Sequence, residues 1–291
     1  VLARRQGPGS FRRRILRRAA AAAGLEKPAM AVYHHAFQTA GGGQKYALRF
    51  AWELRDLLSP FVLTHLKPPD GIWDLHGLKG FPVRRTAAPG LGTARIDLKL
   101  AMGLSPNPLE AASRMAAEAP FLLNGNMVAA LEPRSDTAVF LCYFPDLPRK
   151  APFHAHEYDL FLGISRYGAR WARRRWKLTP SRLIHPPADL KGPGGPKERI
   201  ILSVARFEHN KRHFPMLRAF HRLLGTEPRT RGWRLVLAGG SESRDPSSLL
   251  RLHAELMRYG GMNVEILSNL PEAQLRTLYA RASIFWHLCG L

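Results

Sequence analysis

Short, unbroken apolar runs recur along this chain, each followed by a polar loop and then by apolar residues at helical spacing. That order restricts the fold more than any other feature of the sequence. The sharpest instance is Ile200 to Lys211, Ile-Ile-Leu-Ser-Val-Ala-Arg-Phe-Glu-His-Asn-Lys. Its apolar run ends at Val204, is too short for a helix and is bounded by Glu198 and Arg206. A parallel strand buried on both faces reads this way. The polar half presents Arg206 and Lys211, and an apolar-periodic helix follows. Two cations at a strand exit read either as solvated loop charges or as a place to hold a phosphate.

The same unit repeats downstream. A strand at Arg234 to Ala238 ends in Gly239-Gly240, and a helix runs from Pro246 to about Tyr259. A strand at Asn263 to Leu267 is followed by Asn269-Leu270-Pro271, and a helix runs to Ala282. Pro271 at the helix start, with Glu272 in the first turn, is a good amino-terminal signature. Ser283 to His287 is the last expected strand. Four strands alternating with three helices predict a Rossmann-like parallel sheet over residues 197–291.

Upstream, Ala31 to Phe37 reads as a strand, Gln38 to Gly43 as a loop ending in three glycines, and Gln44 to Leu58 as a helix with an apolar face through Tyr46, Ala47, Phe50, Ala51 and Leu54. Strand, glycine loop and helix form the first unit of a doubly wound fold. Glycines there let backbone amides approach a ligand at the positive end of a helix, or they make only a turn. Further strands are expected at Phe61 to Leu66, Val83 to Thr86, Phe121 to Asn124, Ala138 to Tyr143, Asp159 to Ile164 and Arg182 to His185. A segment around Ile96 to Leu104 has no clear type. Helices are expected over Pro108 to Ala119, with Asn107 as cap, and from Ser165 to about Trp176. The division is therefore a basic extension without strand signal at 1–27, a Rossmann-like domain at 28–187, a Gly- and Pro-rich linker at 188–196 and a second Rossmann-like domain at 197–291.

The 291 residues carry a formal net charge of +22, with 45% apolar residues. The apolar share supports real cores and excludes a disordered polycation. The Arg166 to Lys177 segment holds Arg166, Arg170, Arg173, Arg174, Arg175 and Lys177 with no acid among them, and Trp171 and Trp176 between them. Nucleic acid, an anionic membrane face or acceptor, and a plain solvated face with inward tryptophans all fit that pattern. Cys142 and Cys289 lie in apolar runs and read as buried free thiols; no disulfide framework or metal site is supported. No run of about 18 apolar residues exists to span a membrane. The chain opens on Val1 and stops at Leu291 just past an apolar run, so the sequence reads as a fragment.

From about residue 30 onward these features resemble the family 4 glycosyltransferases, retaining enzymes of the GT-B fold. The resemblance rests on the Tyr33-to-Gly43 strand and glycine loop followed by Tyr46, and on Ile164-Ser165-Arg166-Tyr167 with Trp171. It rests above all on Ser203-Val204-Ala205-Arg206-Phe207 followed by Asn210-Lys211. Leu235 to Gly240 and the Leu270-Pro271-Glu272, Leu275, Leu278-Tyr279, Ala282 pattern follow in the family's order.

The resemblance implies two Rossmann-like domains facing across a cleft, the second incomplete, and a nucleotide-diphosphate sugar as donor. Arg206 and Lys211 would stabilise the leaving phosphate. Gly42, Gly43, Gly240, Asn269 and Leu270 would complete the donor site, with Asn269 and Leu270 at the nucleobase. Neither a metal nor another cofactor is expected, and no catalytic base is named. Many members carry a His-Asp pair where this chain reads Leu141 to Asp146, without a histidine. The family's acidic motif would fall after residue 291, so this stretch alone is expected to be inactive. The implied acceptor is a cell-envelope or lipid-linked glycan. The implied setting is cytoplasmic, peripheral to an anionic membrane surface, without specific nucleic-acid binding. A non-catalytic nucleotide-sugar-binding module and a basic nucleic-acid-binding protein stand as alternatives.

Overall fold

The computed structural model describes residues 27–34, 37, 41–65, 67–68, 71, 73, 80–86, 108–126, 131–145, 154–187, 195–240, 246–260 and 263–288. The expectations placed on residues 1–26, Asn107, Ile96 to Leu104, Asp146 and Cys289 lie outside them. The described chain forms two compact units.

In the first unit, β1 (Ala29–Tyr33), α1 (Gly42–Glu53), β2 (Ser59–Thr64), β3 (Val83–Arg85), α2 (Pro108–Ala116) and β4 (Phe121–Asn124) come in order. They are followed by β5 (Thr137–Cys142), β6 (Leu160–Gly163), α3 (Arg166–Trp176) and β7 (Arg182–Leu183). The strands form one parallel seven-stranded sheet in the order β3-β2-β1-β4-β5-β6-β7. The central strands are apolar and buried almost throughout because helices cover both faces of such a sheet. Tyr33, Leu63, Leu122, Phe140 and Cys142 meet Ala112, Ala116 and Ala172 in one core. The small helical residues let α2 and α3 approach the sheet closely. Cys142 is a free buried thiol, as expected, and burial pushes its pKa up to about 12.

The second unit runs β8 (Glu198–Val204), α4 (His213–Thr226), β9 (Arg234–Gly239), α5 (Pro246–Met257), β10 (Val264–Ser268), α6 (Glu272–Arg281) and β11 (Ala282–Phe285). Its parallel sheet has the order β10-β9-β8-β11. Leu235, Leu237 and Ile201 pack on Met216, Leu217 and Phe220 of α4 on one face. Ile200, Leu202, Val236 and Ala238 pack on Leu278 of α6 on the other. Alternate residues of each strand thus serve opposite cores, the doubly wound arrangement that the alternating pattern predicts.

Both sheets reverse direction of growth beside their first strand, between β1 and β4 in one unit and between β8 and β11 in the other. Ligands of open α/β sheets bind outside the carboxyl ends of the strands at such a reversal.

Element boundaries move in instructive ways. Gly42 and Gly43 do not end a loop; they are the first residues of α1. The first turn has no hydrogen-bonded N–H groups to lose, so glycine's poor helix propensity costs little there. The expected strand to Phe37 stops at Tyr33, and Phe37 instead lies buried in a turn. Pro271 precedes α6 as its cap rather than sitting inside it. The strand expected at Arg182 to His185 shortens to Arg182–Leu183, because it is an exposed edge with only β6 to pair with. The helix at Arg166 behaves as its residues imply. Ser165 accepts a hydrogen bond from the Gly168 amide at 3.0 Å, and Lys177 closes the other end in a left-handed conformation.

Candidate functional site

The strand exits of the second unit converge through backbone hydrogen bonds. The Ala205 amide donates to the Ala238 carbonyl at 3.0 Å, the Phe207 amide to Gly240 at 3.0 Å, and the Asn269 amide to Gly239 at 2.8 Å. These bonds extend the sheet register past β8, β9 and β10 and hold the three loops side by side. A Cβ on Gly239 would overlap the Ala205 carbonyl, so only glycine allows this closeness. A Cβ on Gly240 would lie 3.7 Å from Arg206 Cγ and 3.9 Å from Asn269 Oδ1. Arg206, Gly240 and Asn269, named from sequence alone, are therefore brought together at one point. Asn269 holds φ +54°, a left-handed conformation that asparagine tolerates better than most residues.

Leu270 stands beside them with a different job. Its side chain packs, partly buried, on the core formed with Val236 and Leu278. It anchors the loop that presents Asn269.

The loop after Arg206 is short and pinned. Phe207 is buried, and its ring lies 5.1 Å from that of His213. A 3-10 turn, His209–Lys211, places Lys211 directly before α4. Arg212 joins the two in a left-handed conformation, φ +57°. The first turn of α4 contains no acid, so its free amides and the two cations reinforce one another as an anion-attracting surface. Arg206 forms an ion pair with Glu208 at 2.8 Å. Glu208 was not singled out from the sequence; a carboxylate two residues from an arginine is too common a pattern to mark it. His213 was also missed. It is buried, its Nε2 has no hydrogen-bond partner among the described residues, and its pKa is pushed down to about 4 by burial and by Lys211. The imidazole is neutral at pH 7, so it adds bulk behind Lys211 rather than charge.

In the first unit the exits of β1, β4 and β5 meet the start of α1. The Gly125 amide donates to the Tyr33 carbonyl at 2.9 Å. The Tyr143 hydroxyl donates to the Gly43 carbonyl at 2.7 Å. A Cβ on Gly125 would meet the Ala47 methyl at 2.8 Å, whereas one on Gly43 would make an ordinary 3.5 Å contact with the Tyr143 ring. Gly125 is thus the glycine that packing demands; sequence reasoning passed over it, although it directly follows a strand in Asn-Gly-Asn. Burial drives the Tyr143 hydroxyl's pKa well above the ordinary tyrosine value. The hydroxyl is a hydrogen-bond donor here, not an acid.

Among the described residues no helix is long and apolar enough to cross a membrane.

Residues 191–290 match the family model of Glycosyl transferases group 1. Curated protein sequences return no significant match. Solved structures do. HepE of Anabaena, in a complex with UDP and glucose, is similar over 90% of this chain and 74% of its own, with a TM-score of 0.61 at 13% identity. WaaG, a glycosyltransferase involved in lipopolysaccharide biosynthesis, is similar over 89% and 74%, with a TM-score of 0.52 at 14% identity. An α,α-trehalose-phosphate synthase (UDP-forming) from Burkholderia vietnamiensis is similar over 90% and 76%, with a TM-score of 0.53 at 14% identity. With two parallel Rossmann-like sheets in the order described, the chain has the GT-B fold, and its residues 191–290 are similar to the glycosyl transferases group 1 family.

Proposed function

We propose that the protein transfers a sugar from a nucleotide-diphosphate sugar to a hydroxyl acceptor, with retention at the anomeric carbon. The observation that carries this reading is the convergence of Arg206, Gly240 and Asn269 at the exits of β8, β9 and β10, with Lys211 placed before α4. A diphosphate presents two or more negative charges to such a surface. Arginine offers a planar fork of donors and lysine a compact charge, so together they grip phosphate oxygens from different directions. Gly240 leaves room for the ligand, and Asn269 offers an amide side chain at the neighbouring exit, suited to a nucleobase edge. The amides of Gly42 and Gly43 are proposed as further donor contacts.

The chemistry follows from where charge develops. The bond between the anomeric carbon and the phosphate oxygen breaks, and that oxygen gains negative charge. Arg206 and Lys211 stabilise it in place, without reorganisation at the moment of reaction. The acceptor oxygen bonds to the anomeric carbon from the same face, and its proton passes to the departing phosphate. No protein carboxylate is required as base on this route. No metal is assigned a role.

We further propose a glycan acceptor of the cell envelope, lipid-linked, reached from the cytoplasmic face. The net charge of +22 suits work beside anionic lipid, and WaaG acts in lipopolysaccharide biosynthesis. UDP is the first nucleotide to test, since HepE was captured with it. The experiment is calorimetric titration of UDP, ADP, GDP and dTDP, followed by turnover of the matching glucose donors with the product anomer read by NMR. Binding of one diphosphate is expected, and, from the whole protein with the family's acidic motif, a product of unchanged anomeric configuration. Absence of all nucleotide binding overturns the donor site, and binding without turnover over any acceptor leaves only a nucleotide-sugar-binding module.

A further inference from the structure

On the first unit, α3 carries a feature that the proposed transfer chemistry does not use. Its residues divide into three stripes. Gly168, Ala169 and Ala172 are buried, and Trp176 joins them against Phe140 and Phe161. Arg166, Arg170, Arg173 and Lys177 follow at helical spacings of four, three and four residues, and all are exposed. Tyr167, Trp171 and Arg174 lie between. The four exposed cations form a straight line roughly 16 Å long at about 1.5 Å per residue. None of the four makes an ion pair among the described residues, and the helix contains no acid. Of the two tryptophans, Trp176 packs against Phe140 and Phe161, and Trp171 meets Phe144 and Arg175.

The flanking rings are already occupied on their faces. Tyr167 stacks on Phe144 with ring centroids 5.9 Å apart and planes within 12°. Arg175 lies over Trp171 at 4.6 Å and over Phe144 at 5.5 Å, and it donates to the Pro145 carbonyl at 3.0 Å. Arg174 lies over Trp171 at 5.8 Å. Tyr167 nevertheless remains 47% exposed. A single-strand binder needs open ring faces on which bases stack. A line of cations bordered by amphipathic rings whose faces are taken suits a flat, anionic, half-apolar boundary instead.

We propose that the Arg166-Arg170-Arg173-Lys177 face of α3, with Tyr167 and Trp171 beside it, is the surface by which the protein lies on anionic lipid bilayers. The partner is the layer of phosphate headgroups, with the rings at headgroup level. This surface stands independently of the donor site.

The test is co-sedimentation of the full chain with vesicles of phosphatidylcholine alone and with 30% phosphatidylglycerol. Binding to the anionic vesicles is expected and binding to the neutral ones is not. The variant R166Q/R170Q/R173Q should bind the anionic vesicles at least tenfold more weakly. The control R218Q/R222Q/R229Q removes three exposed arginines of the second unit and should stay within twofold of the parent. Should the triple variant fail to fold, R170Q/R173Q is expected to lose at least threefold. Trp171→Phe should remove most of the vesicle-induced blue shift of tryptophan emission. Equal losses in the α3 and control variants would reduce the effect to bulk charge and overturn the proposal, as would unchanged binding in the α3 variants. A duplex or single-stranded oligonucleotide that binds more tightly than the vesicles, and loses that binding in the same α3 variants, would assign the face to nucleic acid instead.

Discussion

The two strand-exit regions share a topology and differ in chemistry. Around β1, β4 and β5 the first unit gathers Gly43, Gly125, Asn124 and Tyr143, all uncharged. Around β8, β9 and β10 the second gathers Arg206, Asn269 and Gly240, with Lys211 at the head of α4. One region offers amides and hydroxyls; the other offers fixed positive charge. The same sheet reversal thus serves as a scaffold twice, and the residues on its loops decide what each copy can hold. A third region sharpens the point. At the opposite, amino edge of the second sheet, Glu198 pairs with Arg281 and Arg234, and Arg234 also pairs with Glu265. Charges there neutralise one another and brace the sheet. At the carboxyl edge Arg206 pairs with Glu208 beside the start of α4.

If the contrast is real, removing a cation and removing an amide contact should have effects of very different size. Arg206→Ala should reduce transfer about 10²- to 10³-fold and abolish measurable nucleotide-diphosphate binding, while the fold persists. Turnover assays and calorimetry together check this, and turnover near the parent rate would sink the site. Gly239→Ala acts through packing instead. Its methyl must displace the Ala205 backbone, which should cost about 2–4 kcal/mol of stability, seen as a lower denaturation midpoint. Gly43→Ala meets only an ordinary contact with Tyr143, so stability should hold and donor KM should rise by no more than about fivefold, the scale of ~1 kcal/mol. A loss as large as that of Arg206→Ala would erase the distinction between the two regions.

His213 ties the charged region to pH. Its pKa is lowered to about 4 by burial and by Lys211. The native state therefore binds the neutral form, while the unfolded chain takes up a proton near the ordinary value of about 6.5. Stability from this residue is complete above pH ~6.5 and is lost as pH falls towards about 4, by at most ~1.4 kcal/mol per pH unit. Urea midpoints measured from pH 7 to pH 4.5 should fall, and His213→Phe should flatten the fall. The smallest effect belongs to Glu208. Its pair with Arg206 is partly exposed and worth about 0.6 kcal/mol or less. Glu208→Gln should tighten nucleotide-diphosphate binding by about threefold; weaker binding would mean that Glu208 positions Arg206 rather than competing with the ligand.

Much of this was legible in the sequence because the information is local. Apolar runs such as Ile200 to Val204, interrupted only by the buried Ser203, fit inside a sheet covered on both sides. Cations at a strand exit, and Ser165 ahead of a basic helix, are short-range signals carried by neighbouring residues. The α/β alternation, two Rossmann-like sheets and the stretch around Arg206 follow from them. What escaped depended on distance along the chain. Gly239 is indispensable only because Ala205 passes against it, and Gly125 only because Ala47 does. Trp171 and Trp176 are five residues apart on one helix, yet one meets Arg175 and Phe144 while the other meets Phe140 and Phe161. Helical periodicity places them on different faces, but only packing shows which face has a core beneath it.

The sequence by itself determined the type and order of the elements, because hydrophobic period and turn chemistry are properties of neighbouring residues. Tertiary structure alone decided which residues share a site. The Asn269 amide reaches the Gly239 carbonyl only when β10 lies beside β9, and Gly240 meets Arg206 only when β9 lies beside β8. Parallel pairing between distant segments sets those neighbours, and no local pattern encodes it.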